Sequence, residues 1–265
     1  MTKRSLCLLL GVVLFTSFPG AVLGEGIQTN GGEEISLASL EHQDETSDTV
    51  VYYTPDISPE AVTAVYDVLG AELTGENIAV KLPVDGGTHL TENLVGAHFP
   101  EYDGYLVLSH FKGHAMAGFG GAIKNISIGM ASQEGKCLIH TVGESHTSPW
   151  GGEQDPFLES MAEAGKSVVD ALDGNIVYVS VMNHLSVDCD CDGNPEEPDM
   201  HDIGILASTD PVALDQACVD LVYASQDDTE SLINRMESRN AVHVLEHGEE
   251  IGLGSRNYQL VSIDE

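Results

Sequence analysis

The stretch Tyr105–His140, YLVLSHFKGHAMAGFGGAIKNISIGMASQEGKCLIH, decides how this chain is read. Tyr105 to Leu108 is an unbroken apolar run of strand length. Behind it Gly113, Gly118, Gly120 and Gly121 let the backbone turn tightly and approach a ligand. The same stretch carries His110, His114 and His140 together with Lys112, Lys124 and Lys136. A buried strand that runs straight into glycines, imidazoles and amines is a strand feeding a functional loop. In α/β proteins such loops gather at the carboxyl ends of strands.

Working outward, the flanks alternate strand and helix patterns. Upstream, Val50 to Tyr53 reads as a strand, and Ser58-Pro59-Glu60 as a helix start whose apolar face is Val62, Val65, Leu69 and Leu73. Ile78 to Leu82 follows as a second strand, and residues 83 to 104 read as loop. Downstream, Asp155-Pro156 opens a helix with Phe157, Met161, Ala164, Val168 and Leu172 on one face, ended by Gly174. Ile176 to Met182 is nearly continuous in apolar character, as in a sheet covered on both faces. Ile203 to Leu206 reads as a short buried strand, Asp210-Pro211 as a helix start burying Leu214, Cys218, Leu221 and Val222. Two short helices and a strand over Tyr258 to Ile263 end the chain. The order implies an α/β fold with a mainly parallel sheet flanked by helices.

Composition narrows the function classes. The chain has 43 acidic against 10 basic residues, a net charge of −33, and so repels nucleic acid and anionic lipid. The acids are spread along the sequence, a pattern of solvation rather than of an acidic tail. Lys3 and Arg4, the apolar run Leu6 to Phe15 and the small residues of 20 to 24 form a signal-peptide pattern, with cleavage expected near Gly24. The alternative is an uncleaved anchor. An exported chain is the expectation, with residues 25 to 49 as a flexible acidic leader and 50 to 265 as one α/β domain. Cys137, Cys189, Cys191 and Cys218 are too few for a dense disulfide framework, and no ferredoxin or zinc-ribbon ladder is present.

Three constellations could carry chemistry. In the central one, Lys124 follows Gly118-Phe119-Gly120-Gly121, and a desolvated lysine offers a neutral amine for covalent attachment. His89, His98, His110, His114, His140 and His146 fall close together in sequence, which suits metal binding or proton transfer. His110 and His114 would share a face only on a helix, and Gly113 argues against one. The second is Asp188-Cys189-Asp190-Cys191-Asp192-Gly193. Its oxygens are spaced as in a calcium loop, while Cys189 and Cys191 alternatively ligate a soft metal or stay as buried thiols. The third pairs Ser208 with Asp210 at a helix amino end, either an anion site or a helix cap.

The runs SHFKGHAMAGFGGAIKNISIGMAS, NHLSVDCDC, DIGILASTDPVALDQACVDLVY and EEIGLGSRNYQLVSID resemble the uncharacterised family labelled iron–sulfur-centre proteins, domain of unknown function 362. The resemblance runs from about Val50 to the end, without the ferredoxin insert. It implies an α/β domain, and its label an iron–sulfur cluster. Between Lys81 and Val84 the chain lacks a block that such relatives carry, so the first half is expected to be truncated. A more distant similarity is to nickel-pincer lactate racemases, whose motif spacing is met by His114, Gly118, Phe119, Gly120, Gly121, Lys124 and His140. That similarity implies Lys124 as tether of the pincer, His140 as metal ligand, and His114 with His89 as proton-transfer residues. Two functions follow as expectations. One is a metal- or cofactor-dependent enzyme acting on a small organic acid. The other is an exported, non-catalytic metal- or ligand-binding protein that uses Cys189, Cys191 and neighbouring groups such as His110.

Overall fold

In the computed structural model the described residues are 79–225 and 229–260, with three short strands before them, β1 (Cys7–Leu9), β2 (Gly26–Gln28) and β3 (Glu34–Ser36). Residues 1–12 and 79–265 form one compact unit, residues 13–78 another. In the second, β2 and β3 pair antiparallel inside the stretch expected as leader. The strand expected at Val50 and the helix expected at Ser58 lie outside the described residues.

The first unit is built on a four-stranded sheet of order β1-β6-β9-β10, with β6 at Tyr105–His110, β9 at Ile176–Met182 and β10 at Gly204–Ser208. The fold is α/β. β6 and β9 run parallel, Tyr105 opposite Ile176, and three residues of the apolar amino-terminal run, Cys7–Leu9, line up parallel with Tyr105–Val107. β9 keeps the bounds that its apolar run predicts. Only alternate residues are deeply buried, however, and Val177 is 45% exposed, so the sheet is not covered evenly on both faces.

Two expectations change on the flanks of this sheet. β10 is antiparallel to β9, because the chain returns along a loop, residues 183–203, with none of the crossover helix that a parallel neighbour needs. As an edge strand it is open to solvent, Ile205 being 71% exposed, rather than buried. Residues 83 to 104 are not all loop. β4 (Val80–Pro83) pairs antiparallel with β5 (Glu92–Val95), and Gly86 supplies a positive φ in the connection. β5 escapes a reading by alternation because Asn93 is a buried amide, donating to Ala164 O and Ser167 Oγ at 3.2 and 3.1 Å.

Beyond β6 come the hairpin β7 (Lys112–His114) and β8 (Gly118–Gly120), then α1 (Ala122–Lys124), which widens into a π turn over Asn125–Gly129. α2 (Gln133–His140) is capped by Ser132, whose hydroxyl accepts from Gly135 N. α3 (Gln154–Ala171) buries Phe157, Met161, Ala164 and Val168 as its period predicts, and the chain turns at Gly174 with φ +69°. α4 (Pro211–Ala224), α5 (Glu230–Ser238) and α6 (His243–Glu250) follow. Tyr258 to Leu260 is not strand; the Tyr258 hydroxyl instead donates to Asp220 at 2.7 Å. The core lies in two apolar groups, one around Phe111, Phe119 and Met161, the other around Val107, Ile126 and Tyr178. Among the described residues no helix is long and apolar enough to cross a membrane.

Candidate functional site

The hairpin after β6 is shaped by contacts that exclude side chains. A Cβ on Gly113 would lie 2.0 Å from Val187 O, so the hairpin runs directly against the loop after β9. Gly118 has φ +82° and meets Ala241. Because the segment is strand, His110 ends β6 while His114 ends β7, and they do not share a helical face. At Gly120 the open space is filled by lysine stems: its Cβ position lies 3.5 Å from Lys112 Cε and 3.7 Å from Lys124 Cδ.

The turn that carries Lys124 is held by a residue absent from the sequence-based set. Asp215, fully buried on α4, accepts from Ala122 N at 2.7 Å and Ile123 N at 2.9 Å. These are amino-terminal N–H groups that α1 cannot satisfy itself. A Cβ on Gly121 would stand 2.4 Å from Asp215 Oδ1, which accounts for the second glycine. Burial pushes the Asp215 carboxyl up to about 7, against the two N–H bonds. The signal was legible: of the two aspartates between Val212 and Val222, Asp215 stands three residues before Cys218 and seven before Val222, on the apolar face of the helix. On the far side, Asn125 donates to Leu108 O and Ser109 Oγ, tying the π turn to the end of β6.

Around Lys124 the structure brings together His114, His140, Lys112 and Lys136, each close enough to alter the protonation of one or more of the others. Burial lowers the Lys124 ammonium from its usual value. The Cys189 and Cys191 thiols oppose that shift, while Lys112 and Lys136 add to it. Burial likewise lowers Lys136. His114 falls to about 3, through burial and then through Lys124, Lys112, His140 and Arg235. Its Nδ1 accepts from Met116 N and Ala117 N at 3.2 and 3.0 Å, so the neutral ring carries its proton on Nε2. His140 has the opposite tautomer. Its Nδ1–H donates to Lys136 O at 2.7 Å, which leaves the Nε2 lone pair free, and the ring stacks on Phe157 with centroids 5.0 Å apart. Burial keeps His140 below its usual value too, against the carbonyl bond. A cavity of about 200 Å³ opens beside it, lined by Met116, Trp150, Gln154, Phe157 and Arg239 among others.

The Cys189–Cys191 loop borders this group. Asp190 anchors it, bonding His110 Nδ1 at 2.8 Å and Lys112 Nζ at 2.9 Å. The Cys189 and Cys191 sulfurs, both free thiols, are 2.8 Å apart. Hydrogen bonding to Cys189, then burial, raises the Cys191 thiol above its usual value. The calcium-loop reading is not met, because Asp188 pairs with Arg235 and Asp190 with Lys112, so these carboxylates already face cations. His110 is a poor ligand as placed, since its Nε2 donates to Asn183 O while Nδ1 faces Asp190. Among the described residues no three His, Cys, Asp or Glu side chains stand preassembled around a metal position.

Two predicted site elements lie elsewhere. Asp210 is a helix cap: its Oδ1 accepts from Val212 N and Ala213 N, its Oδ2 from Ser255 N, and the Ser208 hydroxyl accepts from Asp210 N. The N–H groups an anion would need are therefore taken. His89 bonds through Nε2 to Glu159, apart from the lysine group.

The family model for a domain of unknown function, DUF362, matches residues 29–220. No curated protein matches the chain. Among solved structures, the crystal structure of a Thermotoga maritima protein is similar at 13% identity and a TM-score of 0.29, over 64% of this chain and 35% of that one. The chain thus spans about a third of the length of that protein. With the family model covering well over half of its residues, the chain belongs to DUF362, a family whose function is unknown.

Proposed function

We propose that the group around Lys124 binds a small organic acid and acts on it as a cofactor- or metal-dependent enzyme. One observation carries this reading. In a chain of net charge −33, Lys124 and Lys136 are half-buried beside one another's field and neither has a carboxylate partner among the described residues. With 43 acids available, unpaired amines are a cost of folding that an incoming anion relieves. The tethered nickel pincer implied by similarity fits the donors present. Lys124 offers an amine that burial makes easier to deprotonate than a free lysine, and His140 a free Nε2 lone pair. Such a group would supply hydride exchange at a substrate carbon.

The chain's own residues would do the rest. The His114 Nε2–H would donate to a substrate oxygen, since burial disfavours a second proton on that ring. Lys136 would hold the carboxylate, and Asp215 fixes the turn on which Lys124 stands.

Two measurements test this. Intact mass of the protein made in its own host should show an adduct that Lys124→Gln abolishes. Calorimetric titration with lactate should show saturable binding that weakens roughly tenfold or more in Lys136→Gln, a lost charge-assisted contact. No adduct together with lactate binding indifferent to Lys136 would refute the reading.

A second reading rests on the adjoining thiols of Cys189 and Cys191, which suit a soft cation in a non-catalytic binding protein. Zinc titration of the Cys189→Ser/Cys191→Ser variant distinguishes the two. Export, with a mature chain starting near residue 25, is part of either proposal.

A further inference from the structure

Away from the lysine group, α3 and α6 lie side by side and present matching rows. Glu159 and Glu163 are four apart on α3; His243 and His247 are four apart on α6, inside His243-Val244-Leu245-Glu246-His247. Four residues is one helical turn, so each pair faces the other helix. His243 Nε2 bonds Glu159 Oε1 at 2.7 Å, and His247 Nε2 lies 3.6 Å from Glu163 Oε1. His89, from the β4–β5 connection, adds a third imidazole whose Nε2 bonds the other Glu159 oxygen.

All three rings thus turn Nε2 inward. On α6 the outer nitrogens are backed by carboxylates of the same helix, His243 Nδ1 by Glu246 at 3.5 Å and His247 Nδ1 by Glu250 at 3.8 Å. As the chain stands, His89 and His243 donate Nε2–H to Glu159; a cation would displace those protons, and a carboxylate behind Nδ1 is the usual outer support of a histidine that then ligates through Nε2. Glu163 does the same for the third segment. Fully buried, it accepts from the backbone N–H groups of Thr88, His89 and Leu90, and so sets the loop that delivers His89.

One atom in this group is poorly satisfied within the protein. His247 is 7% exposed, and its buried Nε2 makes no hydrogen bond of ordinary length, with Glu163 Oε1 3.6 Å away. A buried imidazole nitrogen with no contact closer than that to Glu163 is a costly arrangement unless something binds there.

We propose that His89, Glu159, His243 and His247 hold a divalent cation of the zinc, cobalt or nickel class, with Glu163, Glu246 and Glu250 as supporting carboxylates. Imidazole nitrogens with one carboxylate suit that class, and the absence of thiolate separates this site from Cys189 and Cys191. The donors do not yet surround one point. Glu159 lies between two rings and is bonded to each, and the terminal torsion of a glutamate is soft enough to turn both oxygens toward a cation. The bound ion would clamp the β4–β5 connection, α3 and α6 together.

The test uses the full chain without a histidine tag, stripped with EDTA and titrated with cobalt(II) while visible absorption is followed. The expected result is one tight equivalent with a nitrogen and oxygen spectrum and no thiolate charge-transfer band, displaced by zinc. His243→Ala and Glu159→Gln should each weaken it roughly tenfold or more, whereas Cys189→Ser/Cys191→Ser should leave it unchanged. Should Glu159→Gln fail to fold, His89→Gln in the exposed connection decides in its place. Absence of cobalt binding overturns the proposal, as does binding that survives His243→Ala and disappears with the cysteines.

Discussion

Asp215→Asn isolates the link between the core and the Lys124 turn. In the folded chain burial raises this carboxyl from an ordinary 3.8 to about 7. A difference of that size between folded and unfolded states is worth ~4 kcal/mol. The sign follows from which state keeps the proton longer. The folded state does, so Asp215 leaves stability intact below about pH 4. It then erodes stability as pH rises to about 7, and changes nothing beyond. Asparagine cannot ionise; Ala122 N donates to Oδ1 and Ile123 N to Oδ2, so its single carbonyl oxygen keeps one of these bonds and its NH2 faces the other N–H, a loss that does not vary with pH. Urea unfolding of the wild type and the variant at pH 4, 5.5, 7 and 8 supplies the comparison, and subtracting one from the other removes the titration of the other 42 acids. The stability difference should shift by ~4 kcal/mol in favour of asparagine between pH 4 and 7. A difference flat in pH would show that Asp215 is not held near neutrality. Asp215→Ala should destabilise at every pH, by about 1–3 kcal/mol for each N–H left without an acceptor.

Other outcomes follow from the same geometry. Gly121→Ala should destabilise by about 1–3 kcal/mol, because its Cβ would press on Asp215 Oδ1 at 2.4 Å, and Asp215→Ala should relieve part of that in a double-mutant cycle. Lys124→Gln should leave the unfolding midpoint unchanged or raised at pH 7. The native state sheds this proton earlier than the unfolded chain, so the wild type should gain on the variant as pH rises toward the ordinary lysine value of 10.5. Replacing His114 by alanine should cost about 1–3 kcal/mol by orphaning Met116 N and Ala117 N, and asparagine should recover part of it. If export removes residues 1–24, amino-terminal sequencing of secreted protein will begin near Glu25, and β6 will become the sheet edge in place of β1.

What the sequence determined by itself was local. The β9 run, the α3 face through Phe157, Met161, Ala164 and Val168, and the helix start at Asp210-Pro211 each depend on residues within a turn or two of one another, where periodicity and backbone propensity act directly. The neighbourhood of Lys124, His114 and His140 was legible for the same reason, since one short hairpin and two helical turns carry all three. Tertiary structure alone decided which carboxylates meet which backbone. Asp215 reaches Ala122 across 93 residues, and Glu163 holds the loop at Thr88 across 75. The direction of β10 and the burial of Asn93 in β5 belong with these. Such pairings form only when the rest of the chain has closed the loop between them, and no repeat or propensity in either segment encodes the partner.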